Sequence, residues 1–171
     1  MDGRLKLRLR EEQVPALAAR YSYTRGDHVP RDLVPRVRKA GRLTKADLLE
    51  IGLWKSPRSR KHLETNSDEL VQEATRVALS AKAEQLRIGA LLALAGVGWP
   101  MASVILHFCQ TDPYPVLAYR ALWSVGIDEP KVYNFTLGWA YTEFCRKLAT
   151  RLGITMRTLD RALWQYSSEN P

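Results

Sequence analysis

Two glycines one residue apart, Gly96 and Gly98, stand between apolar runs that both read as helix, in the stretch LAGVGWPMAS (94–103). Glycine inside a helix costs roughly 0.5–1 kcal/mol relative to alanine, so a break here calls for backbone that must stay bare. Glycines where a helix begins leave N–H groups uncovered, and these add to the positive end of the helix dipole. That combination suits an anion, a phosphate above all. A second candidate is WKSPRSRK (54–61), which crowds Lys55, Arg58, Arg60 and Lys61 around Trp54. Cations beside an aromatic ring can grip phosphate and stack on a displaced base. The plainer reading is a core tryptophan beside a solvated basic loop. Trp99, between Gly98 and Pro100, either lies against a bound phosphate backbone or plugs the core. The two cysteines, Cys109 and Cys145, lack CxxC spacing and sit in apolar helical patterns. They read as buried free thiols rather than zinc ligands. His107 reads as a packed or partly exposed helix residue.

Charge placement strengthens the anion reading. The 171-residue chain carries a formal charge of +8. Residues 1–61 hold 16 Lys/Arg against 7 Asp/Glu, whereas residues 62–171 hold 10 against 11. This asymmetry suggests an acidic polymer as partner, nucleic acid first, with a solubilising surface as the plain alternative. The length suits one domain over 1–171 with a sizeable core and room for two lobes. The most apolar stretch, Leu86–Ala95, is too short to span a membrane. MDGRLKLRLREEQ lacks the apolar core of a signal peptide. The expectation is a soluble, cytoplasmic monomer, at the nucleoid if bound to DNA.

Helices must position these groups. RLKLRLR (4–10) alternates with a period of two and fits a strand or a flexible basic arm over 1–11. From Glu12 the pattern turns helical, with Pro15 tolerable in the first turn. SYTRGDH (22–28) is a loop, and DLVPRVRKAG is a short helix closed by Gly41. Thr44 caps KADLLEIGLWK, and SPRSRK is a basic break. Asn66 or Ser67 starts a helix to Ser80 whose apolar side is Leu70, Val71, Ala74, Val77 and Ala78. Ala83–Ala95 and Pro100–Cys109 follow, then the turn DPYP, then Val116–Val125. Val132–Leu152 is a long helix ended by Gly153, and Thr155 caps the last one, where LDRALWQY locks onto the N-terminal part. The tail SSENP reads as frayed. Eight to ten helices without strand pairing make an all-α domain.

A helix-hairpin-helix needs apolar residues, a Gly-apolar-Gly turn, a small residue and two further apolar residues at fixed spacing. Leu91, Leu94, Gly96, Val97, Gly98, Ala102, Ile105 and Leu106 supply them, within a hairpin over 86–109. Its contacts with DNA would come from Gly96, Val97, Gly98, Trp99, Met101 and Ala102 through backbone, which positions without reading sequence. The wider segment Leu86–Gly126, about 40 residues, resembles the helix-hairpin-helix DNA glycosylase superfamily, to which endonuclease III belongs. The resemblance implies a two-lobed all-α fold with double-stranded DNA across the cleft and a base flipped into a pocket. It also implies a monovalent cation on the carbonyls of Leu92, Leu94 and Val97. Tyr114, Tyr119 and Trp123 would surround the base pocket, with core packing as their plainer role.

The match breaks where chemistry should lie. The superfamily uses an aspartate just after the proline turn to stabilise positive charge developing on the sugar or to activate water. That place falls at Ala118, or at Leu117 or Tyr119 if the gap differs by one residue. Asp112 precedes the turn and is a poor substitute. The lysine that makes some members lyases through a Schiff base is replaced by Pro100, and the four iron–sulfur cysteines of others are missing. Three readings of Ala118 stay open. The chain is a DNA-binding relative that lost its chemistry, an enzyme using another acid (Glu143 or Asp160), or one whose aspartate was deliberately replaced. The leading expectation is a monofunctional, base-excising DNA glycosylase-like protein without a resident cofactor. The alternatives are a non-catalytic hairpin DNA-binding protein and a helical protein–protein module whose basic region meets an acidic partner.

Overall fold

A computed structural model describes residues 5–23, 29–128 and 132–171 of the chain. The regular structure of these residues is all helical, with no strand among them. In chain order the helices are α1 (Val14–Ala19), α2 (Leu33–Ala40), α3 (Lys45–Lys55), α4 (Arg60–Leu63) and α5 (Asp68–Ser80). There follow α6 (Glu84–Leu92), α7 (Trp99–Cys109), α8 (Tyr119–Ser124), α9 (Phe135–Leu152) and α10 (Met156–Glu169). Tight 3-10 turns at Glu11–Gln13 and Pro57–Ser59 lead into α1 and α4. None of the described helices is long and apolar enough to cross a membrane. The chain divides into two compact units, one within Met1–Gly26 and Pro113–Pro171, the other Asp27–Asp112.

Helix starts follow local chemistry. The first N–H groups of a helix have no partner within it, and a side-chain oxygen at the preceding position supplies one. Thr44 accepts from the Asp47 N–H while Asp47 accepts from the Thr44 N–H at 2.9 Å. Ser67, Asn134 and Thr155 cap α5, α9 and α10 in the same way. Gly41 and Gly153 close α2 and α9.

In the Asp27–Asp112 unit the core is made by Leu33, Val37, Leu48, Ile51, Leu63, Val71, Leu91, Ile105 and Leu106, all at 1% exposure or less. Burying each such side chain contributes roughly 1.5–3 kcal/mol. Arg38 donates to the carbonyls of Phe108 and Gln110 and so closes the C-terminal end of α7. In the other unit α10 is the spine, packed on α1, α8 and α9 through Leu159, Ala162 and Leu163.

Besides the shorter α6 and the later start of α9, four segments differ from the sequence expectations, each for a tertiary reason. Residues 56–61 are not a break: the chain winds through the 3-10 turn into α4 so that Leu63 can be buried. The apolar side of α5 is narrower than its composition suggests, because Leu70 and Val77 stay about two-fifths exposed at 42% and 39%. Helix α8 starts only at Tyr119, since Val116 sends its N–H to the Asp160 carboxylate instead of into a helix. The tail is helical to Glu169, held by buried Ser167 and by the ion pair of Arg20 with Glu169 at 2.6 Å.

The basic arm is docked over residues 5–11 rather than free. Lys6 and Arg8 donate backbone N–H groups to the carbonyls of Val125 and Ser124, and Leu9 is buried. The extended backbone expected there is present, but it pairs with the end of α8 and forms no sheet. Residues 1–4 of the arm and 24–28 of the SYTRGDH loop lie outside the described residues, as do 129–131.

Candidate nucleic-acid interface

The α6–α7 turn is a packed corner with one bare spot. Leu91, Leu94, Val97, Ala102, Ile105 and Leu106 are all buried, at 5% exposure or less, while Gly96 and Gly98 are exposed. The two glycines stand in different surroundings. Gly96 has φ +78°, in the left-handed region that L side chains rarely adopt. A Cβ there would also lie 2.9 Å from His62 Cβ and 3.0 Å from the Leu63 nitrogen. Gly98 has ordinary extended backbone (φ −91°, ψ −177°), and only Pro100 Cδ, at 3.9 Å, would approach a Cβ there. The body that comes close to Gly96 is therefore the protein itself. At Gly98 the space is open.

Gly98 is the residue just before α7 and accepts the Ala102 N–H at 2.9 Å through its carbonyl. Val97 donates its N–H to Leu94 at 3.1 Å, and Pro100 has none. Of the predicted contact residues, Val97 and Ala102 are thus packing and turn-forming groups. Gly98, Trp99 and Met101 supply the remaining N–H groups of the first turn, Met101 with its side chain buried and Trp99 half-buried. Unpaired N–H groups at a helix start form an anion site.

The corner is fixed to α4 by contacts that no local pattern announces. The Asn66 side chain, 4% exposed, accepts the Ala95 N–H at 2.8 Å and donates to the Ala95 and Leu63 carbonyls at 2.9 and 3.0 Å. Leu63 sits between Gly96 and Gly52, where a Cβ would collide with Leu63 Cδ1. Lys45 Nζ donates to the Glu64 carbonyl at 2.6 Å and closes the end of α4. The basic segment is therefore held beside the turn. Arg58 and Lys61 are exposed and make no ion pair among the described residues, and Lys55 is half-buried. Arg60 is engaged by Glu64 at 2.6 Å. His62, exposed and in contact with the turn, was not a sequence candidate; nothing in its neighbours marks it. Trp54 is a core residue, 5% exposed and edge-on to Phe108 at 5.1 Å, so it offers no stacking face.

The residues expected to do chemistry lie in the other unit. Ala118 is half-buried and immediately precedes α8 in extended conformation (φ −114°, ψ 141°), with no side chain to cap it. Leu117 is buried and Tyr119 is 62% exposed. Glu143 is exposed on α9. Asp160 is 5% exposed and engaged at both oxygens, by the Val116 N–H at 3.3 Å and by Arg157 at 2.6 Å. Tyr119 and Trp123 line one open recess of about 620 Å³ together with Arg120 and Tyr133. Tyr114 does not join them: it is buried with the Arg146 guanidinium over its ring at 4.6 Å. The Trp123 ring carries Arg8 at 4.2 Å. Asp112 belongs to the hairpin's own unit and takes Arg87 at 3.3 Å.

Neither thiol is a nucleophile in this setting. Cys109 and Cys145 are free and buried. Burial pushes Cys109 up to about 12 and Cys145 well above the ordinary thiol range, so both stay protonated near neutrality. No protein-family model matches the chain, and no curated protein or solved structure matches it either. The start of α7 is bare at Gly98, Arg58 and Lys61 are exposed in the segment leading into the helix that touches the turn, and residue 118 holds no acid.

Proposed function

We propose that the protein binds duplex DNA through its phosphates, in the manner of the helix-hairpin-helix DNA glycosylases, and that base excision is absent while residue 118 is alanine. The observation that carries this reading is the division of labour between the glycines: Gly96 is filled by α4, whereas Gly98 is open to an anion. Arg58 and Lys61, exposed in the segment that leads to the residues touching Gly96, add the side-chain charge a phosphate backbone needs. Such contacts position DNA without selecting sequence. The Leu94 carbonyl gives one lone pair to the Val97 N–H and keeps one for a monovalent cation, with Leu92 and Val97 as the other carbonyls of that site.

The non-catalytic form of this reading is favoured for the chain as it stands. Glu143 is an exposed residue of α9, Asp160 is committed to Val116 and Arg157, and Pro100 offers no amine. Binding of a labelled duplex as a function of salt tests the first half: log K falls linearly with log salt if phosphates are engaged. Salt-insensitive or absent binding sinks it and leaves the protein–protein module. Base release from a panel of lesion duplexes tests the second half. The protein as written releases none and Ala118→Asp releases a base; if neither does, the excision reading is lost and the binding reading stands.

A further inference from the structure

The four residues of α4 point in directions about 100° apart, and each has a different fate. Leu63 faces inward, fully buried between Gly52 and Gly96. Arg60 is drawn along the helix to Glu64, Nε to Oε1 at 2.6 Å. Lys61 is exposed without an ion pair among the described residues, as is Arg58 just before the helix. His62 is exposed, and its Cβ is the atom that a Cβ on Gly96 would meet first, at 2.9 Å. Gly98 is only two residues further on, at most about 7 Å away along the chain.

From this arrangement we infer that His62 is a phosphate-contacting residue, acting with Arg58 and Lys61, and that Glu64 withdraws Arg60 from the same surface. The inference rests on the DNA-binding reading above and names the side chains through which it acts. The partner is the sugar–phosphate backbone of duplex DNA. An imidazole N–H donates to a phosphate oxygen in either protonation state. Its place beside the turn is fixed because Leu63, the next residue, is locked between two glycines and tied to the turn through Asn66. The surface is thus built jointly by the open backbone at Gly98 and an edge of α4 held at fixed distance from it.

Anisotropy titration of a short labelled duplex of arbitrary sequence, with the full chain and single variants, tests this. His62→Ala weakens binding about tenfold, as loss of a hydrogen bond to a charged group does. Arg60→Ala stays within about twofold of the unsubstituted protein, because Glu64 offsets its charge at that surface. Glu64→Gln releases Arg60 and tightens binding. His62→Gln, which keeps an N–H donor, retains affinity and guards against a loss due to unfolding. Binding by His62→Ala equal to that of the unsubstituted protein, or a larger loss in Arg60→Ala than in His62→Ala, overturns the inference. Failure of the unsubstituted protein to bind the duplex at low salt is a separate outcome that removes the DNA-binding reading itself.

Discussion

In the unit built from the two chain ends, the arginines are largely engaged by the protein itself. Arg8 pairs with Asp128 at 2.5 Å and covers Trp123, Arg20 pairs with Glu169, Arg151 with Glu11 and Arg157 with Asp160. Arg120 and Arg146 donate to the carbonyls of Ser167 and Pro113. In the Asp27–Asp112 unit, Arg58 and Lys61 stand exposed with no such partner among the described residues, in the segment whose next residues, His62 and Leu63, touch Gly96. The comparison teaches that net charge is a poor guide to where a polyanion docks. The basic N-terminal segment, as dense in Lys and Arg over 4–10 as residues 55–61, is partly engaged by the protein: Arg8 pairs with Asp128 and Arg10 with Glu12. What an anion meets is the charge left over; Lys6, Arg31, Lys39, Arg76, Lys82 and Lys147 are exposed as well, and Arg58 and Lys61 are the ones in the segment that leads into the helix touching the α6–α7 turn.

The contrast can be broken first at the turn. Gly96→Ala forces a side chain into left-handed backbone and against α4, and should destabilise the protein by about 3 kcal/mol from strain and overpacking combined. Urea unfolding measures this, and a loss no greater than that of an ordinary surface substitution would show that α4 does not press on the turn. The other unit is sharpened by Ala118→Asp. Its extended backbone is already that of a capping residue, so the carboxylate should reach the first turn of α8 and stabilise by about 1 kcal/mol. Thermal melting reads the gain; a destabilised variant would mean that the place after the proline turn cannot accept an acid.

The smallest effect concerns pH. The hydrogen bond from Arg20 holds the Glu169 carboxyl down to about 2, from an ordinary value of 4.5. A carboxyl whose folded pKa lies below its unfolded one contributes stability in full above the unfolded value and loses it as pH falls through the folded one. The contribution of Glu169 therefore fades between about pH 4.5 and 2. Arg20→Gln should lower the melting temperature at neutral pH and flatten its profile in that window, so that the two proteins converge near pH 2, and an identical acid limb in the two proteins would show that the pair is not populated in solution.

Local rules made much of the fold legible. Thr44 and Thr155 are read as caps from their type and position, Gly41 and Gly153 as stops, and the hairpin's apolar spacing identifies the six side chains that are buried there. The remainder depends on partners distant in sequence. Nothing within 56–63 says that Leu63 will lie between Gly52 and Gly96, and so α4 reads as a break. The arm reads as free because its hydrogen-bond partners, Ser124 and Val125, are more than a hundred residues away. Asp160 reads as a spare acid because its partner Val116 is 44 residues distant. At the candidate site itself, the glycines and cations are visible in sequence, but which glycine is bare and which cation is engaged are properties of packing.

The central claim, that an anion docks on bare backbone at Gly98, is tested most directly by Gly98→Leu. Among the described residues outside its chain neighbours, a Cβ at Gly98 would meet only Pro100 Cδ, at 3.9 Å, and its backbone conformation is open to any residue. The variant should therefore melt within a few degrees of the unsubstituted protein while its affinity for duplex DNA collapses, because the side chain covers the N–H groups of the turn. A Gly98→Leu protein that is folded and binds duplex DNA as tightly as the unsubstituted chain would contradict the account.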